Sequence, residues 1–230
     1  MKILFEDKHI IVCVKEPGML SQSDRSMAPD MVNAIKNHIY EKEGTINPYV
    51  GLIHRLDRGV GGVMVFAKTP QAAKNLSSQM QKDSFCKKYR AVVTKDLSSE
   101  SEEEAVVLEN YLVKDGRSNL SRIVSKSEQG AKLAKLEYKV LGVTTDPTHQ
   151  FPISLLDVRL YTGRHHQIRV QLSNAMNGIW GDTKYNQQFV KQRGWSNIAL
   201  YAYSLMFAHP ATNKRMEFEH LPEQIPFAYF

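Results

Sequence analysis

Residues 54–69 read HRLDRGVGGVMVFAKT, and Pro70 follows. The later part is a compact apolar run, VMVFA, of the length expected for a buried strand. Thr69 and Pro70 then supply an N-cap and a first-turn proline, and Ala72, Ala73, Leu76 and Met80 recur behind them at helical spacing. The earlier part is different in kind. His54, Arg55, Asp57 and Arg58 crowd together with three glycines directly before the strand, an expensive arrangement for a mere connection. Glycines let the backbone take positive φ and approach a ligand closely, while Arg55 and Arg58 favour the ionised form of Asp57. An ionised carboxylate is a competent nucleophile; a turn braced by an Asp–Arg ion pair is the other reading these residues allow.

Working outward, HIIVCVK at 9–15 reads as a strand ended by Pro17-Gly18. A helix is expected over 29–43, with Ala34, Ile35, His38 and Ile39 on one side and Gly44 as its stop. KKYRAVVT at 87–94 is a strand. Ala134, Leu136, Tyr138 and Val140 alternate with Lys135, Glu137 and Lys139, the mark of a half-buried strand, and ISLLDVRL at 153–160 repeats the pattern. A helix is expected over RHHQIRVQLSNAM, 164–176, with Ile168, Leu172 and Ala175 or Met176 inward. ALYAYSLMF at 199–207 and RMEFE at 215–219 return to strand. Strands outnumber helices and βα units do not repeat, so the expected fold class is α+β, a large mixed, mainly antiparallel sheet with flanking helices and loops. With no internal repeat and no convincing linker, residues 1–230 are expected to form a single domain.

The composition, 42% hydrophobic and 23% charged over 230 residues, excludes a disordered chain. The formal charge is +6, yet Asp96, Glu100, Glu102, Glu103, Glu104 and Glu109 lie in one stretch of 14 residues without Lys or Arg. Outside it the balance is 30 basic against 18 acidic residues, or +12, which favours a polyanionic partner such as nucleic acid. The acidic segment at 98–104 is expected to be a hairpin tip or connecting loop. Cys13 and Cys86 have no neighbour at metal-ligand or CxxC spacing and are expected to be reduced, as in the cytosol. Glu6 and Asp7 interrupt any signal peptide, and no stretch approaches the roughly 20 apolar residues of a membrane span. A soluble, cytoplasmic protein without membrane contact is expected.

Two further constellations carry chemistry. In TGRHHQIRV, 162–170, three potential cations would occupy a helix first turn whose dipole is already positive, a placement that a bound phosphate or carboxylate would offset. Spacing of i, i+4 would set His165 and Arg169 on one face. Solvated surface groups are the plainer reading. In FCKKYRAVV, Lys87, Lys88 and Arg90 surround Tyr89, phosphate-pairing cations around a ring able to stack on a base, although ordinary sheet faces carry such strips too. His54, Asp57, His165 and His166 form no HxxxH or HExxH pattern, so no metal is expected.

Together these pieces resemble one family. HRLDRGVGGVMVFAKT is similar to the HRLDxxTSGLLLFAKT signature of the RluA family of pseudouridine synthases, and YTGRHHQIRVQL with GDTKY resembles its TGRxHQIRxHL…GDxxY block. KEPGML, HRLD, KKYRAVV, GRHHQIR and ALYAYSLMFAHPATN keep the family's order from about residue 5 to 220. The resemblance implies the pseudouridine synthase catalytic fold and isomerisation of a specific uridine in tRNA or rRNA, with no cofactor. It implies Asp57 as nucleophile, Tyr89 stacked on the target base, Arg169 paired with the Asp57 carboxylate, and Leu200 lining the base pocket. Arg55 would displace the flipped nucleotide, and His54, Arg58, Lys87, Lys88, Arg164 and His165 would meet RNA. Whether Asp57 adds to sugar or base, or removes a sugar proton, stays open.

The chain departs from the pattern at Val60-Gly61-Gly62, where the family has Thr-Ser-Gly, at Gly178, where it has Pro, and at Glu16 within KEPG. Hydroxyls able to brace the catalytic loop are thus missing. Because the opening strand starts so early, the family's frequent amino-terminal S4 domain is not expected, and a compact RNA element read by a monomeric catalytic domain is. A non-catalytic RNA-binding protein is the competing reading. A glycoside hydrolase would need a second poised acid, for which only Asp157 and Asp182 offer themselves.

Overall fold

The computed structural model describes residues 1–24, 27–82, 84–100, 104–191 and 197–230. In chain order the strands are β1 (Lys2–Glu6), β2 (Ile10–Lys15), β3 (Gly51–Leu52), β4 (Gly61–Ala67), β5 (Cys86–Val93), β6 (Val106–Asp115), β7 (Leu120–Val124), β8 (Lys132–Thr145), β9 (Pro152–Leu160), β10 (Leu200–Ala208) and β11 (Arg215–Glu219). The helices are α1 (Met31–Glu43), α2 (Pro70–Met80) and α3 (Gln167–Ala175). The chain divides into two compact units, Met1–Cys86 with Ala202–Leu221, and Lys87–Tyr201 with Pro222–Phe230. Antiparallel pairing dominates both, which gives the α+β class expected of the sequence.

In the first unit β2 runs antiparallel between β1 and β4, and β3 pairs with β4. Every residue of β2 and β4 is buried, which is why both read as unbroken apolar runs rather than alternations. Val63, Val65, Ala72, Leu76, Phe85 and Phe207 are among the core that α2 covers. Thr69 caps α2 by accepting from the Ala72 amide at 3.2 Å, with Pro70 in the first turn. Helix α1 starts at Met31 because Asp30 accepts from the Asn33 amide at 3.0 Å, and it stops where Gly44 takes φ 69°.

In the second unit the order is β5-β9-β8-β6-β7, antiparallel throughout. The alternation expected around 134–140 is present, with Ala134, Leu136, Tyr138 and Val140 buried in β8. The hairpin of β6 and β7 was not legible in the sequence, because β6 shows no clean two-residue period and most of its side chains are only partly covered. Of the acidic segment, the Asp96 carboxylate accepts from the Ser98 amide at 2.9 Å and Glu100 accepts from the Tyr138 hydroxyl at 2.9 Å. Residues 101–103 of the expected loop lie outside the described residues.

The expected helix at 164–176 is shorter. His166 adopts φ 52° and precedes α3, so Arg164 and His165 lie outside the helix. The four-residue spacing that was to align His165 with Arg169 therefore does not apply. No described helix is long and apolar enough to cross a membrane.

Candidate active site

In the first unit Asp57 sits half-buried as the first residue of a tight turn closed by the Val60 amide on the Asp57 carbonyl at 3.0 Å. The segment from Lys15 to Ser21 grips the chain on either side of it. On one side the Ser21 hydroxyl donates to the Leu56 carbonyl at 2.8 Å and accepts from the Leu56 amide at 3.0 Å. On the other side the Gly18 amide donates to the Arg58 carbonyl at 2.7 Å, and Arg58 Nε returns a bond to the Gly18 carbonyl at 3.0 Å. Lys15 is completely buried and its ammonium donates to the carbonyls of Met19, Glu16 and Arg58 at 2.7, 3.1 and 3.2 Å. Burial pulls the Lys15 ammonium down to about 8, and the negative charges of Asp57 and Glu16 hold it from falling further.

The other residues of the loop divide by exposure. Arg55 and Arg58 are exposed. His54 is 7% exposed; its Nε2 accepts from the Val65 amide at 3.3 Å and its ring meets Phe85 edge-on at 5.7 Å. It was expected on the RNA surface and lies in the core instead, because an imidazole can satisfy a backbone amide with one nitrogen while its faces pack among apolar rings. Gly62 takes φ 133°, and a Cβ there would lie 2.3 Å from the Ala202 carbonyl oxygen. Only glycine fits.

In the second unit Tyr89 is 6% exposed on β5, opposite Val158, which in turn faces Tyr138. Strand alternation sets Lys87 on the face of Tyr89 and turns Lys88 and Arg90 to the other. The expected cluster of cations around the ring is thus split, and Arg90 pairs with Asp157 at 3.0 Å on that opposite face. A Cβ at Gly163 would touch the Lys87 ammonium at 3.5 Å, so Lys87 lies against the turn that leads to Arg164. That turn is fixed by Gln167, whose Oε1 accepts from the Thr162 hydroxyl at 2.8 Å and the Arg164 amide at 3.0 Å.

Beyond the turn, Arg164 is exposed and donates through Nε to the Leu133 carbonyl at 2.9 Å. His165 Nδ1 lies 2.9 Å from the Ser121 hydroxyl, and its ring stacks on His166 at 3.8 Å. Arg169, in the first turn of α3, makes a two-pronged bond to Asp182, with Nε to Oδ2 at 2.8 Å and NH2 to Oδ1 at 2.7 Å. Its guanidinium also lies over the Tyr185 ring at 5.3 Å. Leu200 is buried at the start of β10.

Sequence reasoning missed the parts played by Lys15, Ser21 and Asp182. The signals were present: Lys15 opens KEPG, and Asp182 belongs to the GDTKY that accompanies the Arg169 block. Among the described residues no group of three or more His, Cys, Asp or Glu is placed to hold a metal.

Comparison with known proteins supplies the family. An RNA pseudouridine synthase of Helicobacter pylori strain J99, itself uncharacterized, is 30% identical over 221 residues, 95% of this chain and 65% of its own length. The ribosomal large subunit pseudouridine synthase D of Pseudomonas aeruginosa is 31% identical over 236 residues, 97% of this chain and 69% of its own. The chain thus spans about two thirds of the length of such relatives. The human RNA pseudouridylate synthase domain containing 4 shares the fold, with TM-score 0.75 at 22% identity over 96% of this chain and 88% of that one. The sequence profile of RNA pseudouridylate synthase matches residues 9–174, from the start of β2 through the Asp57 loop and Tyr89 nearly to the end of α3, and to that family the chain belongs.

Proposed function

We propose that this chain is an RNA pseudouridine synthase whose two units act as one catalytic domain over residues 1–230. It isomerises a specific uridine in a structured element of tRNA or rRNA, with Asp57 as nucleophile and the target base flipped out. The N1–C1′ glycosidic bond breaks, the uracil turns while enclosed, and a C5–C1′ bond forms. The hydrogen on C5 leaves and N1 takes up a proton, so no oxidant, water or metal enters the balance.

The observation that carries the reading is the grip on the Asp57 loop. A half-buried carboxylate whose neighbouring residues on both sides have their backbone pinned is aimed rather than merely solvated. Tyr89 is assigned to the face of the uracil, with its hydroxyl near the departing proton. Arg169 is assigned to keeping the reacting carboxylate charged. Arg55 fills the gap left by the flipped nucleotide, whose unstacking costs a few kcal/mol. Leu200 lines the base pocket, and Arg58, Lys87, Arg164 and His165 meet the RNA backbone. Lys88 faces the other side of β5 and contributes to the wider basic field rather than to Tyr89's surroundings. With tRNA and rRNA as substrates the enzyme works in the cytoplasm, as a monomer.

The test is tritium release from bulk tRNA and rRNA labelled as [5-³H]uridine, with purified protein and no added metal or cofactor. Release by the wild type, abolished in Asp57→Asn while RNA affinity stays within a few-fold, is the expected result. RNA binding without release would instead support a non-catalytic RNA-binding protein, and full release by Asp57→Asn would remove the nucleophile assignment.

A further inference from the structure

We infer that Ser21 is a positioning residue for Asp57, a hydroxyl latch on the residue that immediately precedes it. The inference rests on the reading of Asp57 as nucleophile and adds to it the element that fixes its backbone. Ser21 is 5% exposed and offers its single hydroxyl to both polar groups of Leu56, donating to the carbonyl at 2.8 Å and accepting from the amide at 3.0 Å. That is the pair of bonds a neighbouring strand residue would make, supplied here by a side chain. Leu56 immediately precedes Asp57, so the latch fixes the peptide from which the carboxylate is launched.

Ser21 is itself immobilised. The Leu20 amide donates to the Pro29 carbonyl at 3.1 Å, and the Met31 amide donates to the Leu20 carbonyl at 2.9 Å, which ties the segment to the start of α1. Met64 of β4 closes the far side, with its sulfur 3.9 Å from the Ser21 oxygen. The Leu56 side chain is buried as well. On the other side of Asp57 the turn at Gly18 holds the Arg58 backbone. The segment from Lys15 to Ser21 therefore works as a two-sided clamp, with Ser21 as its grip on the amino-terminal side. Removing one hydroxyl leaves two buried backbone groups of Leu56 without these bonds and lets the loop drift, and small displacements of a reacting group are costly to rate.

The experiment compares wild type, Ser21→Ala and Ser21→Thr in single-turnover tritium release from [5-³H]uridine-labelled bulk rRNA and tRNA, with enzyme in excess. Affinity for the same RNA is measured alongside, and backbone amide hydrogen exchange is followed at Leu56. Ser21→Ala is expected to slow the chemical step about 10- to 100-fold with RNA affinity unchanged within about threefold, and Ser21→Thr to restore most of the rate. Exchange at Leu56 should accelerate about tenfold in Ser21→Ala while β4 amides keep their protection.

A wild-type rate in Ser21→Ala, or affinity and rate falling together, would overturn the inference. So would Leu56 exchange that does not change. Because the exchange readout needs no turnover, a failure of the Asp57 assignment shows separately, as full activity in Asp57→Asn. If Ser21→Ala does not fold, Ser21→Cys, which keeps the size but bonds weakly, decides the matter: a slowed chemical step supports the latch and a wild-type rate overturns it.

Discussion

Arg169 holds Asp182 with two parallel bonds, Nε to Oδ2 at 2.8 Å and NH2 to Oδ1 at 2.7 Å, and both side chains are buried. Asp182 Oδ1 accepts in addition from the Lys184 and Tyr185 amides at 2.9 and 3.3 Å. The aspartate thus ties α3 to the following turn and sets the plane in which the guanidinium lies. Breaking one partner of a buried pair strands the other charge, so Asp182→Ala should cost about 3 kcal/mol of stability, measured by urea denaturation. Arg169→Lys keeps the charge but cannot make the paired bonds, and its tritium-release rate should fall at least about tenfold. A wild-type rate in that variant would show that orientation of the guanidinium does not matter.

Lys15 gives a pH dependence with a definite sign. Burial lowers its folded value to about 8 from an ordinary 10.5. Between these values the unfolded chain keeps a proton that the folded chain has released. Stability from this group therefore rises with pH across that window, and the burial penalty is fully present only below about 8. Activity moves the other way. Above about 8 the amine loses a donor needed by three carbonyls, together with the positive charge near Asp57, so the single-turnover rate should decline there. Urea midpoints of wild type and Lys15→Met between pH 7.5 and 10 check the first statement, since the variant should lose that slope. A pH–rate profile checks the second.

How much of this was legible follows from how local each determinant is. The strand at 61–67 and the helix behind it are written in adjacent residues, an apolar run and a Thr-Pro cap, and both appear where the sequence puts them. The start of α3 was misjudged because nothing in GRHHQ announces that His166 turns left-handed; Gln167 enforces that turn through bonds to Thr162 and the Lys135 carbonyl. The surroundings of Tyr89 were legible as composition but not as geometry. Alternation alone would have separated Lys87 from Lys88. Ser21 and Leu56 are 35 residues apart, and a lone serine in a turn carries no mark of a distant partner. Asp57 stood out because its charged neighbours are contiguous with it, whereas the residues that hold it in place come from elsewhere in the chain.

Gly62 tests how tightly the Asp57 loop is joined to its strand. Its φ of 133° is strained for any residue with a side chain, and an added methyl would sit 2.3 Å from the Ala202 carbonyl oxygen. Backbone lies on both sides of that contact, so no rotamer change relieves it. Gly62→Ala should destabilise the protein by about 3 kcal/mol or more, read by urea denaturation, whereas Gly44→Ala, in open space at φ 69°, should cost only about 1 kcal/mol.

Glu6 anchors β1 through charge, and its contribution should vanish in acid. Burial alone would raise its carboxyl, but bonds from Lys42, Lys68 and His38, at 2.8, 2.7 and 3.0 Å, outweigh that and bring it down to about 2 from 4.5. The folded value lies below the unfolded one, so the stabilisation is fully present above 4.5 and is lost as pH falls toward 2. Glu6→Gln preserves shape and removes the charge. The melting-temperature gap between wild type and this variant should be widest near pH 6 and close progressively between pH 4.5 and 2. A gap that stayed constant over that range would mean that packing, rather than the cluster of two ammonium groups and an imidazole around one carboxylate, is what Glu6 contributes.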